Sequence, residues 1–584
     1  MTASNAHQDP DKPEDDLRPE NDLRPEDVYR PTAPSRWSSF VTLLASVVIS
    51  FALYAHTLGG GFVYDDIPLL VANDCHKDLS HLGRLFDFSR PTVCNQRPLR
   101  FLSFAFDYAL FGQNPAAFRA TNLVLHGLVV WLALLVLWRV TGDRRLALTA
   151  AAIFLFHPIA TEATAYISGR RDLLAAVFSL LAAWAVLPTA MQIGARLPRW
   201  RALLALLALA CAFFSHDGTV AIPFALALFA LARRWPRRPA LDTTATAPAS
   251  SASTSPGVPR FAKLRTALQS LRNERRCLPL TFGMLLALAF ALWSITRHNP
   301  STRHTLWGDG LGGHIATVLR VHAHYLHQLV WPTDLLADYS PQAFDLSHSL
   351  LDPSALVALI LIAGLLVGAI GSWRKHPLIA ATILAYFGLL IPSSQIVIHH
   401  ELAAEHRLYL PSLLVFSLAA AGLVALARRF RYPQVITLAT TGILLTLALL
   451  TVKRAVIWTS GEFLWSTTVA AAPRCARAHS NLGAIYATQG HLSAAQKELE
   501  SALTLRPKLC AARENLGQVL LDRGHMAPRL AALRRAVRCK PSIASYRHLA
   551  QAELRLGFFA RAEAAARKAL SLRPNAVALL YLRG

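Results

Sequence analysis

Two adjacent carboxylic acids, Asp65 and Asp66, end the polar loop GGGFVYDD, which directly follows the first long apolar stretch of the chain. If that stretch spans a membrane, both acids must lie at the membrane surface or in a hydrated cavity, because a charge at the bilayer centre costs at least ~2.5–3.5 kcal/mol. Acids in such a place are candidates for acid–base chemistry, although many loop acids are simply solvated. The pair is therefore a candidate functional site, and the strength of this hypothesis depends on which other residues lie near it.

The composition of the chain is typical of a membrane protein. Of its 584 residues, 53% are hydrophobic and only 16% are charged. The apolar residues fall into blocks of about 20 separated by short arginine-rich loops, which is the pattern of transmembrane helices. The formal net charge of +24 would suggest nucleic acid binding in a soluble protein. Here orientation explains it, because Arg and Lys are retained on the cytoplasmic side.

The apolar blocks predict an all-α, polytopic bundle of about eleven spans within residues 37–452. Residues 1–36 are rich in Pro and charged residues and are predicted to be a disordered cytoplasmic tail. With the basic clusters in the cytoplasm, residues 59–118 form the first external loop and residues 233–278 a basic cytoplasmic linker. The predicted spans are 37–57, 119–140, 146–165, 171–192, 202–215, 219–232, 279–296, 353–372, 377–392, 409–427 and 433–452.

One further apolar segment, residues 315–332, does not fit as a span. It carries Arg320 and three histidines, and a span there would place Arg374 and Lys375 outside. We therefore predict an amphipathic helix lying in the outer interface, with its histidines on the wet face.

Seven cysteines show no CxxC pair and no metal-ligand spacing. Cys75 and Cys94 both fall in the first external loop, where an oxidising compartment would allow a disulfide between them. We predict no metal site and no certain cofactor from these residues.

The composition changes after residue 453, where a period of 34 residues appears. Asn481-Leu482-Gly483 recurs as Asn515-Leu516-Gly517, and prolines punctuate each unit. This is the pattern of the tetratricopeptide repeat, in which small residues allow close helix packing. We predict that residues 453–584 form an α-solenoid of about three repeats with a concave face suited to protein or peptide binding. Eleven spans place these repeats outside, although they carry 21 Lys and Arg against 7 Asp and Glu.

Titratable residues gather in the predicted external loops, at the ends of helices, as an outward-facing active site in a membrane would require. The positions that accompany Asp65 and Asp66 are Arg97, His157, Glu162, Arg170, His216, Asp217, Glu405, Arg407 and Tyr409.

Several of these positions stand in motifs of a known family. FVYDD, RPL, HPIATEA with GRRD, the WP and DYS pair, and AEHRLYLPS followed by repeats resemble the transmembrane and tetratricopeptide repeat containing proteins and their bacterial relatives. The resemblance runs from Trp37 to the end of the chain, and the order of the separated motifs supports it.

The resemblance implies a type C glycosyltransferase fold and a protein O-mannosyltransferase that uses a polyprenyl-phosphate-linked sugar on the external face. It also implies an essential acid in the first external loop, a role that falls on Asp65 or Asp66. A general base on the acceptor hydroxyl is typically worth ~10²–10⁴ in rate. Arg97, Arg170 and Arg407 are the candidates for binding the departing phosphate, because a guanidinium can bind two phosphate oxygens at once.

Each of these arginines has a structural alternative: it could snorkel to the interface or pair with a neighbouring acid at a helix end. The supporting residues are predicted to be His157, Glu162, His216, Asp217, Glu405 and Tyr409. A divalent metal bridging phosphate and Asp is compatible with the chemistry, but no ligand cluster requires it.

The chain departs from the family at two motifs. His216-Asp217 stands where relatives carry Lys-Glu, and the element often written YRPL is QRPL here. A titratable group thereby replaces a fixed positive charge, which puts the identity of the donor in question.

These observations predict a multi-pass glycosyltransferase of a bacterial inner membrane, with a cytoplasmic N-terminus and periplasmic repeats that bind a protein acceptor. The alternative is a non-catalytic scaffold whose repeats recruit an envelope protein. A third hypothesis, a transporter of lipid-linked sugar, would not require an acidic pair at one face.

Overall fold

The computed structural model describes residues 36–87, 89, 94–187, 197–234, 306–308, 310–340, 343–394, 401–522, 526–539, 541 and 543–572. Most of the predicted tail and linker, the predicted span 279–296, and His399-His400 lie outside the described residues. The described part is helical throughout, and its one β-bridge joins Tyr339 to Ala403. The all-α prediction is confirmed.

Thirteen α-helices precede the repeat region in the described part of the chain. They are α1 (Arg36–Tyr54), α2 (Pro98–Phe111), α3 (Pro115–Thr141), α4 (Arg144–Phe156), α5 (Thr161–Ala165), α6 (Arg170–Val186), α7 (Arg199–Ser215), α8 (Ile222–Arg234), α9 (Gly310–Val330), α10 (Pro353–Ser372), α11 (Pro377–Leu390), α12 (Tyr409–Arg429) and α13 (Pro433–Val456).

Five helical segments of the described chain are long and apolar enough to cross a membrane. They are Trp37–Thr57, Pro115–Thr141, Pro353–Ser372, Glu405–Arg429 and Pro433–Thr459. A sixth crossing results if the bent pair α4 and Pro158–Ala165 is one span. The protein is thus a multi-pass membrane protein, and the count of eleven spans stays a prediction.

The predicted span 146–165 is not a straight helix. α4 ends at Phe156, and the following helical segment turns away by 59°. Proline disfavours the helical conformation in the residue before it, and it cannot donate a backbone hydrogen bond. Pro158 therefore breaks the helix after His157. The predicted spans 171–192, 202–215 and 219–232 correspond to the shorter helices α6, α7 and α8 of 17, 17 and 13 residues.

The segment predicted to lie in the interface belongs to α9, a helix of 21 residues. It is not among the helices apolar enough to span. Its depth in a membrane stays a prediction.

The repeat region begins with α14 (Gly461–Ala471) and continues as three helix pairs. They are α15 (Ala476–Thr488) with α16 (Leu492–Leu505), α17 (Cys510–Asp522) with α18 (Met526–Cys539), and α19 (Ile543–Arg555) with α20 (Phe559–Leu572). The recurrent glycine has a packing role in the first two pairs. A Cβ on Gly483 would lie 2.7 Å from the Leu499 side chain, and one on Gly517 would lie 2.8 Å from that of Leu533.

The first repeat packs into the core of the membrane domain. Trp465, Cys475 and Leu482 belong to the same cluster of buried apolar residues as the membrane helices, whereas one smaller cluster joins the first repeat to the second and another joins the second to the third. The start of the repeat region is thus fixed on the membrane domain.

Two disulfides are present in the described part of the chain. Cys75 is bonded to Cys94 as expected for the first external loop, and Cys510 is bonded to Cys539 across the second repeat. The second disulfide was not anticipated from the sequence.

Candidate active site

The loop that follows α1 is held in place by a buried arginine. Arg119 of α3 is fully buried and donates to the carbonyl oxygens of Gly60, Gly61, Ala165 and Trp458. The bonds to the buried residues Ala165 and Trp458 satisfy backbone acceptors that would otherwise be stranded away from water. Arg119 therefore joins three separate segments of the chain at the membrane-surface end of α1.

The loop also lies directly against the end of α13. The Gly61 backbone N–H donates to the Thr459 carbonyl at 3.0 Å. A Cβ on Gly60 would lie 2.6 Å from that same carbonyl oxygen. A side chain at position 60 would consequently force the loop and the Trp458–Thr459 segment apart.

Tyr64 is the one non-glycine residue of the described chain with a positive φ, at 51°. This left-handed conformation costs roughly 1–2 kcal/mol for an L-residue, so its surroundings must hold it. The Tyr64 ring stacks on Tyr166 at 6.3 Å and meets Trp465 edge-on at 5.1 Å, and its hydroxyl donates to Glu401 at 3.3 Å. The turn at Tyr64 sends the two following acids into different surroundings.

Asp66 points inward and is fully buried. One carboxylate oxygen accepts from the Ser168 N–H at 2.9 Å and from the Ser168 hydroxyl at 2.6 Å, and the other accepts from the Val63 N–H at 3.1 Å. Burial raises the pKa of Asp66 to about 6, although these hydrogen bonds oppose the shift. Its carboxylate is occupied in closing the loop.

Asp65 is only half-buried, and its backbone N–H donates to the Tyr166 hydroxyl at 3.0 Å. Within the described residues, its carboxylate has no hydrogen-bond partner. Burial, and to a smaller extent the charge of Glu401, raises the pKa of Asp65, while the positive charges of Arg171 and Arg100 act to lower it. Asp65 is therefore a carboxylate of increased basicity that lies near both cations and the Glu401 carboxylate.

The N-terminus of α2 brings two arginines to this region. Arg97 donates through Nε and Nη2 to one oxygen of Asp217, at 3.1 and 2.8 Å. Burial opposes ionisation of Asp217, but the Arg97 charge outweighs it and holds the pKa of Asp217 well below its usual range. Arg97 and Asp217, both predicted site residues, thus form an ion pair.

Arg100, one turn further along α2, is 3% exposed. The described residues offer its guanidinium no ion-pair or hydrogen-bond partner, and that group lies 4.8 Å from the Phe101 ring. Burial, together with the charges of Arg97 and Arg171, lowers the pKa of Arg100 to about 9. Arg100 is an uncompensated cation, and the sequence reasoning did not single it out, although its spacing from Arg97 puts both on one helix face.

The motif GRRD places its two arginines differently. Arg171 is partly exposed and donates to Asp172 at 3.3 Å, and its Nη2 lies 2.9 Å from Nε2 of His406. It is one of the charges that act on Asp65.

Arg170, the predicted phosphate ligand, lies inside the helix packing instead. It is fully buried, is paired with Asp107, and donates to Asn122 at 2.8 Å and to the Phe118 carbonyl at 2.5 Å. Its donors are therefore occupied by the protein itself.

His216 lies beside the Arg97–Asp217 pair. Its Nδ1 accepts from the Gly218 N–H at 2.8 Å, and its Nε2 is 3.6 Å from Asp172. Burial lowers the pKa of His216 to about 4. The His216 side chain is consequently neutral at pH 7.

Three more predicted residues support loops around the site. Arg407 donates to the carbonyls of Leu402 at 3.2 Å and Glu401 at 3.1 Å. Glu162 accepts from the backbone and the Nδ1 of His406 at 2.9 and 2.7 Å.

Glu405, the third of them, is fully buried. It accepts from Arg454 at 3.0 Å and from the Tyr339 hydroxyl at 2.8 Å. Glu405 therefore holds α13 to the Tyr339 loop.

The remaining two predicted residues lie apart from the free carboxylate. His157 caps the short helix Pro158–Ala160 by accepting from the Ile159 N–H at 3.2 Å. The Tyr409 hydroxyl is buried against Nδ1 of His126 at 2.7 Å. No group of three His, Cys, Asp or Glu side chains in the described part of the chain is arranged to hold a metal ion.

Comparison with known proteins agrees with this architecture. The tetratricopeptide repeat model matches residues 476–509. A protein O-mannosyl-transferase of Caenorhabditis elegans is 24% identical over 79% of this chain and 62% of its own length. TMTC4 of Mus musculus, also a protein O-mannosyl-transferase, is 27% identical over 80% of this chain and 66% of its own length. The chain is therefore similar to protein O-mannosyl-transferases of the TMTC type over about four fifths of its length.

The likeness is stronger over a shorter stretch. The protein O-mannosyl-transferase Tmtc1 of Drosophila melanogaster is 37% identical over 142 residues, which are 23% of this chain and 16% of that protein. The chain thus spans less than two thirds of the length of these relatives. A tetratricopeptide repeat protein of Thermus thermophilus matches at 17% identity and a TM-score of 0.19, covering 38% of this chain and 95% of that one.

Proposed function

We propose that this protein is a glycosyltransferase that moves a sugar, mannose by analogy with its named relatives, from a polyprenyl-phosphate-linked donor to a hydroxyl of an acceptor protein. One observation carries the proposal: among the described residues the half-buried Asp65 carboxylate and the buried Arg100 guanidinium both lack a hydrogen-bond or ion-pair partner, although each charge acts on the other. Opposite charges in a partly buried place normally pair, because an unpaired charge is costly there. A ligand that has both a group to deprotonate and an anion to bind would satisfy Asp65 and Arg100 together.

Asp65 is the general base in this proposal. Its carboxylate accepts the proton of the acceptor hydroxyl while that oxygen attacks the anomeric carbon of the sugar. The bond from the anomeric carbon to the phosphate oxygen breaks, and polyprenyl phosphate departs with the bonding electrons. Asp66 acts as a positioning residue, because its oxygens are occupied by Ser168 and Val63.

The departing phosphate is bound by Arg100 and Arg171, and Arg97 adds a positive charge near them. Arg100 is the one of the three that lacks a protein partner in the described residues, and a phosphate would supply its missing counter-charge. Arg171 is partly exposed beside Asp65. Arg170 and Arg407 have roles in packing and in the loop at residues 401–402, so we leave them out of the phosphate site.

The site faces outward in our proposal, toward the periplasm of a bacterial inner membrane. A disulfide occurs in the first external loop and another in the second repeat, and disulfides persist in oxidising compartments. The contact of Gly61 with Thr459 joins the outer ends of α1 and α13. Both features support an odd number of crossings from α1 to α13, with the repeats on the same side as Asp65, where they bind the acceptor protein.

The experiment that tests the proposal is glycoproteomics of periplasmic proteins in strains that carry wild-type protein, Asp65→Asn or Asp74→Asn. Asp74 is an exposed acid of the same loop, so its variant controls for the loss of a negative charge. We expect Asp65→Asn alone to abolish a defined hexose while the variant remains in the membrane at wild-type amounts. Unchanged glycans on proteins, lipids and polysaccharides would reject the transferase and favour a scaffold built on the repeats.

A further inference from the structure

The first repeat helix places an arginine beside the loop that carries Asp65. Arg477, the second residue of α15, donates through Nε and Nη2 to the carboxylate of Asp338, with Nη2 at 2.7 Å. The Asp338 side chain is 1% exposed and also accepts from the Ser340 N–H at 2.7 Å. The guanidinium is thus held rigidly by a buried acid of the membrane domain.

From this position Arg477 reaches a second acid. Its Nη2 lies 3.6 Å from Glu401, and that same Glu401 oxygen accepts the Tyr64 hydroxyl at 3.3 Å. A continuous chain of polar contacts therefore runs from the buried Asp338 through Arg477 and Glu401 to Tyr64. Removing Arg477 would leave Asp338 and Glu401 without the cation that lies between them.

Tyr64 is the residue on which the orientation of Asp65 depends, because it holds the left-handed turn directly before it. A strained backbone conformation persists only when its surroundings enforce it. Two of the contacts that hold Tyr64 involve residues after the last membrane helix. Trp465 touches the Tyr64 ring directly, and Arg477 contacts Glu401, which accepts the Tyr64 hydroxyl. The repeat domain consequently contributes to the site itself.

We propose that Arg477 is a positioning residue of the transfer reaction, which fixes Tyr64 through Glu401 and thereby aims the carboxylate of Asp65. This inference rests on the proposed function for its catalytic consequence, but its structural part does not. The first repeat thus contributes residues that position the active site, in addition to any binding of the acceptor by the repeats. The contrasting hypothesis is that Arg477 only docks the repeats on the membrane domain.

The first test is hydrogen–deuterium exchange of the purified full chain, comparing wild type with Arg477→Ala, Arg477→Lys and Arg474→Ala. Arg474 is the matched control, because it lies three residues away in an exposed ion pair with Asp345, with side chains 75% and 74% exposed. We expect Arg477→Ala to raise exchange of the amides at residues 62–68 by about tenfold. Arg477→Lys should restore much of the protection, and Arg474→Ala should leave it unchanged.

The opposite pattern would overturn the inference. If exchange rises within α15 but not at residues 62–68, Arg477 serves docking alone. This result does not depend on transfer activity, so it separates a failure of the inference from a failure of the proposed function.

The second test is a double-mutant cycle between Arg477→Ala and Tyr64→Phe, measured by kcat and by KM for the acceptor. Misplacement of a catalytic group by about 1 Å can lower kcat about 10²-fold, so each single variant should lose kcat with an unchanged KM. Because both changes break the same link, the double variant should lose little more than the worse single one. Additive losses, or a rise in KM alone, would contradict the proposal.

Discussion

Arginine meets acid in two regions of this molecule, the interior between α2, α3 and α6 and the face around Asp65. In the interior, Arg170 is paired with Asp107 and bonded to Asn122, so its charge and donors are matched. At the face, Arg100 has no such partner among the described residues, and the nearby carboxylate of Asp65 stays free. A polar group whose partner is missing marks a site better than the mere presence of charge, because the protein has not used it for its own packing.

The largest effect on stability is expected when the interior cation is removed. Arg170→Met leaves Asp107 as an unpaired buried charge, so we expect a loss of about 3–5 kcal/mol in the free energy of unfolding. Replacing both partners, as Arg170→Met with Asp107→Leu, should recover most of that loss. Thermal unfolding of the purified variants in detergent measures both, and a double variant as unstable as the single one would contradict a simple ion pair.

The inner acid of the loop should make stability depend on pH. Burial raises the pKa of Asp66 from 3.8 to about 6, so the folded state binds the proton more tightly than the unfolded state does. The stabilisation is complete below pH 4 and is lost as pH rises through 6, by on the order of 3 kcal/mol.

Other groups titrate in this window with the opposite sign, among them His76, whose pKa burial lowers to about 4. The useful measurement is therefore the difference in melting temperature between wild type and Asp66→Asn at pH 4.5, 5.5 and 7. A difference that does not change with pH would mean that Asp66 keeps its ordinary pKa.

Removal of the face cation should have a different outcome from removal of the interior one. We expect Arg100→Gln to weaken donor binding by about 1.5–3 kcal/mol, the value of a hydrogen bond to a charged group, without lowering stability. Binding of a polyprenyl phosphate to the purified protein measures the first effect, and thermal unfolding measures the second. A loss of stability like that of Arg170→Met would place Arg100 in the packing and not in the site.

The smallest effect on stability is expected at an exposed ion pair, which serves as the reference for the other variants. Arg428 donates to Asp143 at 2.7 Å with 58% of its side chain exposed. Arg428→Ala should change the free energy of unfolding by less than about 1 kcal/mol. A larger loss would show that the unfolding assay cannot separate surface pairs from interior ones.

The regular parts of this fold could be predicted from local pattern. The 34-residue spacing of Gly483 and Gly517 predicts the repeats, because each glycine admits a side chain of the partner helix. The loop position of Cys75 and Cys94 was enough to predict their pairing. A signal for the helix break at His157 was also present in Pro158, but the continuous hydrophobicity of residues 146–165 obscured it.

The assignment of roles within the site could not be predicted in the same way. Successive helix residues differ by about 100° in direction, so GRRD does not reveal that Arg170 faces inward and Arg171 outward. Asp65 and Asp66 both follow a left-handed turn at Tyr64, a position where the sequence has no glycine to indicate that conformation. Glu401 and Arg477 join the site only through contacts between distant parts of the chain.

The bonds of Arg119 have a consequence for the synthesis of the protein. Arg119 and Trp458 are 339 residues apart in the chain, a distance that takes roughly 20–70 s to translate at ~5–20 residues per second. During that time the acidic loop and the thiols of Cys75 and Cys94 are already made, but the Trp458–Thr459 segment that bonds to Arg119 and Gly61 is not. A nascent chain can therefore hold every proton-accepting and phosphate-binding group and still lack the residues that keep Asp65 in place.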